Sequence, residues 1–329
     1  MTEKQTKIDF TTQELKGTGS KIPNLGLGTW LSEPGKVYEA TKEAIDVGYR
    51  HIDEAWIYKN EEEVGKALAE KFADGTVKRE DMFITSKLWN CFHRPELVEE
   101  GCKESLKFLG LEYLDLFLIH FPVSFVPGVE EATSASQVEE IPLKDTWLAM
   151  EKLVEKGLVK NIGVSNFEIE HIKEIEAIAT KPIAANQFET QPYYQRNELI
   201  KYCQDAGIVV IAHTSLGSPS NVMSKHHKCK PLMEDDNVKA LAKKYEKQPA
   251  NILLRWGIQR GTVVIPKSVT PSRILSNSDI FSFELTEEEK KSLDDLGKPG
   301  LEGCFNHPKT PWLGRSEFVE GKTDHYCNE

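Results

Sequence analysis

Short apolar runs alternate with stretches of helical periodicity along most of this chain, and each run ends on a residue that can ionise or hydrogen-bond. Asp53 follows RHI, Lys87 follows MFITS, His120 follows LDLFLI, Ser165 and Asn166 follow NIGV, Gln187 follows IAAN, His213 follows IVVIA and Lys267 follows TVVIP. Apolar runs this short, separated by helix-length segments, read as buried strands joined by crossovers. A barrel of parallel strands brings all such strand ends to one face, so residues from Asp53 to Lys267 then line a single pocket.

The rhythm can be followed unit by unit. LGLGT (25–29) leads to a helix over VYEATKEAIDVG, with Val37, Ala40, Ala44 and Ile45 on one face and Gly48 as its stop. RHID, MFITSK and YLDLFLI follow, each trailed by a helical pattern, the last with Trp147, Met150 and Val154 at helical spacing and Gly157 as C-cap. The second half repeats this with VKNIGV, IAANQ, IVVIA and TVVIP, which gives eight strand and helix units, a (β/α)8 barrel. The alternative is an open doubly wound sheet, which usually carries GxGxxG after its first strand; Gly26 and Gly28 supply only a GxG fragment. Even spacing favours the barrel. At 329 residues with 39% hydrophobic content, one domain over 1–329 is the expectation. Long loops are expected at 121–142 and 214–236, after the fourth and seventh strands, with a C-terminal tail at 297–329 over the barrel mouth. Extra helices are expected as well, one of them opened by a capping box of Thr286 and Glu289.

A net charge of -11 argues against a nucleic-acid or anionic-membrane binder, because the summed field repels both. Any anionic ligand must then be held by a local basic cluster. The N-terminal stretch has no apolar core of a leader, and no run approaches the roughly 20 residues that span a bilayer, so a cytoplasmic protein is expected. Six cysteines without a CxxC pair favour reduced thiols. His226, His227 and Cys229 lack a second ligand group at zinc spacing, and no metal is expected.

Asp53, Tyr58, Lys87 and His120 form one candidate constellation. A tyrosine hydroxyl titrates near 10, and a nearby ammonium favours the phenolate and lowers that value, while a carboxylate fixes the ammonium. His120 would orient a substrate carbonyl. Taken singly, the Asp and Lys are equally a structural ion pair, Tyr58 a rim aromatic and His120 a satisfied core histidine; together they suit proton delivery to a developing alkoxide. In IPKSVTPSRI, Thr270 and Pro271 fit N-cap and N1 of a helix flanked by Lys267, Ser268 and Arg273, a phosphate site or else a solvated basic turn. Ser165, Asn166 and Gln187 suit a planar carboxamide, although Ser165 or Asn166 also fits as N-cap of the helix over FEIEHIKEI.

GYRHIDEAWIYKNEEEVG, ITSKLWN, LDLFLIHFP, KNIGVSNF, NQFETQPY and IPKSVTPSR, in this order from LGLGTW to about residue 300, resemble the aldo-keto reductases. HFP and the tail GCFNHP are similar to the aldose and xylose reductase branch. The resemblance implies a TIM barrel that binds NADPH in extended form and reduces aldehydes or ketones, aldoses such as xylose among them. It implies Tyr58 as proton donor, Lys87 and Asp53 as its tuning pair and His120 as orienting group. Ser165, Asn166 and Gln187 would hold the carboxamide; His213, Ser215 and Leu216 would flank the cofactor. Lys267, Ser268, Val269, Thr270 and Arg273 would take the adenosine 2'-phosphate, with Asn277 near adenine. Trp30, Trp89, Phe121, Phe125, Asn306 and Trp312 would form the substrate wall.

Three positions depart from the family pattern. His213 stands where a stacking tyrosine is usual, and Ser220 and Ser276 stand where acids often clasp the cofactor, which implies a looser clasp and faster release. The competing functional reading is a cofactor-binding regulatory protein of the same fold with little turnover; a metal-dependent barrel hydrolase would need more ligands at the strand ends. The partner expected is a small carbonyl compound, with no nucleic acid or membrane, and the chain is a monomer or homodimer.

Overall fold

The computed structural model describes residues 11–217 and 227–306. Eight parallel strands form one sheet: β1 (Leu27–Gly28), β2 (His51–Asp53), β3 (Phe83–Leu88), β4 (Leu114–Ile119), β5 (Val159–Ser165), β6 (Ala185–Glu189), β7 (Val209–His213) and β8 (Thr262–Val264). They lie side by side in sequence order, and parallel bridges from Leu25 to Val264 and from Gly28 to Lys267 join the first strand to the last. The ring therefore closes, and the expected (β/α)8 TIM-barrel architecture is present.

The crossovers carry α1 (Lys36–Asp46), α2 (Glu61–Ala73), α3 (Val98–Leu109), α4 (Leu143–Glu155), α5 (Ile169–Glu176) and α6 (Asn197–Asp205). Then come α7 (Asp236–Tyr245), α8 (Pro249–Gln259), α9 (Pro271–Ser278) and α10 (Glu287–Asp294). In α1 the buried face is Val37, Ala40, Thr41, Ala44 and Ile45, the 3 and 4 spacing read from sequence, and Gly48 past its end takes φ 110°. Gly157 does the same after α4, one position beyond the C-cap Lys156. Thr286 and Glu289 form the capping box that opens α10. The helix α7 begins where the loop expected at 214–236 ends, and Val238, Leu241 and Ala242 bury its face.

Inside the ring, Phe83, Leu116, Leu118, Ala185, Val209, Ile211, Val263 and Ile265 pack with Leu15 and Ile22, which flank and belong to a small antiparallel hairpin, Thr12–Glu14 with Lys21–Pro23. That hairpin, which the sequence pattern does not announce, stops the N-terminal end of the barrel with apolar side chains, so the open end is the opposite one. The loop after β4 is also less irregular than expected, since Ser124–Phe125 pairs antiparallel with Val138–Glu139.

Close packing inside the ring limits side-chain size at one strand position. A Cβ on Gly163 would stand 2.5 Å from the Ala185 carbonyl oxygen and 2.8 Å from Leu118 Cδ2. Because the first obstacle is backbone, Gly163→Ala is expected to cost about 1–3 kcal/mol, visible as a lower urea midpoint with an unchanged slope.

Candidate active site

Strand alternation decides which side chains meet. Lys87 shares the inner phase of β3 with Phe83 and Thr85, Ser165 that of β5 with Asn161 and Gly163, Gln187 that of β6 with Ala185, and His213 that of β7 with Val209 and Ile211. Their C-terminal ends meet at the mouth around a cavity of about 930 Å³.

Lys87 is wholly buried beside this cavity. Its Nζ donates to Asp53 Oδ1 at 2.6 Å, to the Glu54 carbonyl at 2.8 Å and to the Tyr58 hydroxyl at 3.4 Å. An ammonium has three protons, and these acceptors take all of them. Burial opposes its charge, yet the attraction of Asp53 and Tyr58 prevails and holds Lys87 above its ordinary value. Gln187 Nε2 braces the other Asp53 oxygen at 2.7 Å. The sequence gives no sign of that contact, in which Gln187 supports the ion pair as well as facing the cavity.

One expectation is corrected. Burial pushes the Tyr58 phenol up to about 12, since Lys87 only partly offsets it and Asp53 works against Lys87. The ammonium steers the phenol without making it more acidic than free tyrosine. A raised value keeps the proton on the hydroxyl throughout the neutral range.

His120 is caged by rings: Phe121 stacks on it at 5.0 Å and 13°, and Trp89 and Tyr58 meet it edge-on at 5.1 and 5.8 Å. Burial and then Lys87 hold its imidazole far below the ordinary value, so it is neutral and carries one N–H. Trp89 is fixed in turn by its Nε1, which donates to the Glu130 carbonyl at 2.7 Å.

Asn166 occupies the left-handed region at φ 61°, which asparagine tolerates. Its Nδ2 donates to the His120 carbonyl at 3.0 Å and to Ser165 Oγ at 3.1 Å, so Oδ1 faces His213 Nε2 at 3.1 Å. Because Oδ1 only accepts, His213 carries its proton on Nε2, and its Nδ1 accepts from Thr214 Oγ1 at 2.9 Å. Burial lowers this imidazole to about 3, so the contact is a neutral hydrogen bond. The capping alternative for Ser165 or Asn166 fails, since α5 starts at Ile169 with Glu168 as N-cap.

The expected cofactor and substrate residues divide cleanly. Ser165, Asn166, Gln187, His213, Ser215, Leu216, Lys267, Ser268, Val269, Thr270, Arg273 and Asn277 line the cavity, as do Trp30, Trp89, Phe121 and Asn306. Phe125 does not: it is fully buried behind Trp89, with ring centroids 6.0 Å apart, because its hairpin turns it into the core. Ser220, His226, Trp312 and Cys327 lie outside the described residues. Thr270 and Pro271 take N-cap and N1 of α9 as the spacing predicts, although the Thr270 side chain makes no cap bond. Lys267 Nζ donates to the Leu31 carbonyl at 3.0 Å, and among the described residues neither Lys267 nor Arg273 has a carboxylate partner. Burial lowers Lys267 from its ordinary value.

Asn306 reaches the cavity through a latch that sequence reasoning misses. Glu189, at the end of β6, accepts from the backbone amides of Phe305 and Asn306, both at 2.8 Å. Its one signal in the sequence is its inner-phase position two residues after Gln187.

The comparisons agree with this geometry. The aldo/keto reductase family model matches residues 24–298. Aldo-keto reductase family 1 member A1 from Gallus gallus is 50% identical over 85% of this chain and 87% of its own length, and the Homo sapiens protein of that name is 47% identical over 85% and 88%. The structure of the aldose reductase from Schistosoma japonicum superposes with a TM-score of 0.84 at 38% identity, covering 94% of this chain and 99% of that one. An eight-stranded barrel, a polar constellation at its C-terminal mouth and these relatives lead to one conclusion: the chain belongs to the aldo/keto reductase family, a family of oxidoreductases that reduce carbonyl groups.

Proposed function

We propose that this protein reduces aldehydes and ketones, including aldoses and small aldehydes, using NADPH, with Tyr58 as proton donor. The observation that carries this reading is the Lys87 ammonium bonded to Asp53 and Tyr58 beside a cavity lined by two cations, Lys267 and Arg273, that, among the described residues, lack carboxylate partners. The cavity suits a dinucleotide. Gln187 and His213 line it, and so do Lys267 and Arg273, so a planar amide and a phosphate both find matching groups there. When bound, NADPH supplies the hydride.

The remaining steps belong to the chain. Asn166 offers the second lone pair of Oδ1, and Gln187 its second amide proton, to a carboxamide, both held still by the bonds already described. Neutral His120 donates its N–H to the substrate oxygen and orients it against Tyr58. Tyr58 then protonates that oxygen as negative charge grows there. A developing alkoxide is a stronger base than a phenolate, so a phenol near 12 still gives up its proton downhill. Trp30, Trp89 and Phe121 exclude water from this step, and Asn306 is placed to bond a polyol hydroxyl. Among the described residues five cysteines are unpaired, which supports a reducing, cytoplasmic setting, and no helix is long and apolar enough to cross a membrane.

Loss of NADPH absorbance with glyceraldehyde, xylose, methylglyoxal and an aromatic aldehyde tests the proposal. Tight NADPH binding without turnover on any of them would favour a regulatory cofactor binder instead. Arg273→Ala is expected to weaken NADPH about 10- to 100-fold, the worth of one or two charge-assisted bonds, while NADH binding changes little. Equal losses, read by tryptophan quenching, would show that the two cations do not read a 2'-phosphate.

A further inference from the structure

Two loops meet at the mouth of the barrel through a contact that the proposed reaction does not use. Lys59 directly follows Tyr58, at the turn that leads into α2, and takes the left-handed conformation with φ 58°. Glycine enters that region without cost, whereas lysine does not. The Lys59 ammonium lies 3.2 Å from the centre of the Trp56 ring and 2.8 Å from Glu130 Oε1. Trp56 is itself fixed, 8% exposed with its Nε1 donating to Glu104 at 2.7 Å, so the ring helps to place the ammonium that meets the carboxylate.

Glu130 belongs to the long loop after β4 and lines the cavity, whereas Lys59 does not. The loop brings it there in ordered steps. Val126 adds a rung to the hairpin of Ser124–Phe125 and Val138–Glu139 by donating to the Gln137 carbonyl at 3.0 Å. Gly128, at φ 82°, turns the chain so that the Val129 amide donates back to the Val126 carbonyl at 3.0 Å, and Ala132 is buried. Between that turn and Ala132, the Glu130 carbonyl accepts the Trp89 indole proton at 2.7 Å. Trp89 stands edge-on to His120, and His120 edge-on to Tyr58. The contacts close a ring that runs from Tyr58 through Lys59, Glu130, Trp89 and His120 back to Tyr58. The Lys59 and Glu130 side chains form its link to solvent, 48% and 54% exposed.

We propose that the Lys59–Glu130 pair is a strap that holds Trp89 in place beside His120 and thereby sets substrate specificity, favouring small aldehydes over wide aromatic ones. The strap stands on the contacts alone, and its role in specificity rests on the proposed reductase activity. An exposed ion pair is ordinarily worth little, in part because two long side chains must be immobilised for it. Here the Trp56 face and the turn at Lys59 already restrict one of them. A wide aldehyde has to displace the Trp89 wall, which draws Glu130 away from Lys59; a small one fits inside the closed ring and gains contact from it. Lys59 and Glu130 are positioning residues in this sense, acting on the substrate through Trp89.

Lys59→Gly removes the strap at a position whose backbone glycine accepts, so the variant is expected to fold, and Lys59→Arg keeps the charge. With NADPH saturating, the measured quantity is the ratio of kcat/KM for methylglyoxal to that for a naphthaldehyde. Lys59→Gly should lower this ratio about two- to fivefold, the range of an exposed pair, mainly through KM, and Lys59→Arg should preserve it. Both aldehydes are uncharged, so effects of salt on cofactor binding cancel in the ratio. Raising salt from about 0.05 M to about 0.5 M should therefore move the unaltered enzyme toward the Lys59→Gly value and leave that variant where it was. One ratio shared by the unaltered chain and both variants overturns the role in specificity. An equal fall in Lys59→Arg and Lys59→Gly, independent of salt, assigns the effect to the turn and overturns the pair. In the cofactor-free chain, backbone amides of residues 126–133 should exchange hydrogen about two- to fivefold faster in Lys59→Gly, and unchanged exchange overturns the strap itself. A chain that turns over no aldehyde sinks the reductase reading and the role in specificity with it, while the exchange result still decides the strap.

Discussion

Tyr58→Phe is expected to lower carbonyl reduction by about 10³-fold, within the 10²- to 10⁴-fold that a positioned general acid contributes. The change deletes one oxygen from a ring held edge-on to His120, so the cavity keeps its shape and Lys267 and Arg273 are untouched. NADPH affinity should therefore stay within about twofold, and the loss should appear in kcat more than in KM. Because burial holds the phenol near 12, reduction by the unaltered chain should stay flat across the neutral range, with no limb there from Tyr58. A Tyr58→Phe protein that keeps about a tenth of the turnover would remove the hydroxyl from its role.

That expectation uses residues already visible in the sequence, and the reason is geometric. Period-two alternation in a parallel strand makes the residue ending each apolar run an inner or outer one by parity alone, so Asp53, Lys87, Ser165, Gln187 and His213 can be placed at one mouth from their positions. What parity does not give is the partner. Gln187 braces Asp53 from across the barrel, and Glu189, holding the tail amides, joins β6 to residues at the far end of the chain. Phe125 departs from its expected place because a run of loop-like residues hides a hairpin that turns its ring inward. The sign of the Tyr58 shift differs for a related reason: neighbouring charges can be named from a motif, whereas desolvation depends on how completely the assembled barrel excludes water.

The largest structural effect is expected from Lys87→Met. Methionine matches the aliphatic stem and removes the charge, which leaves the Asp53 carboxylate, 2% exposed, facing a thioether where an ammonium stood at 2.6 Å. Breaking a buried pair from one side costs about 3–5 kcal/mol, because the remaining charge is stranded in a dry site. Here Gln187 still bonds one Asp53 oxygen, which argues for the lower part of that range. Adding Asp53→Asn should recover a large share of the loss, because an amide carries no charge to strand and can still donate or accept. Activity should respond differently: turnover falls in Lys87→Met through the unsteered phenol and stays low in the double variant, since neither restores a cation beside Tyr58. Urea unfolding and NADPH-dependent reduction measured on the unaltered chain and both variants separate the two roles. If the double variant were no more stable than Lys87→Met, the ion pair would not be what holds this part of the barrel, and the Lys87 bond to the Glu54 carbonyl would be the structural contact instead.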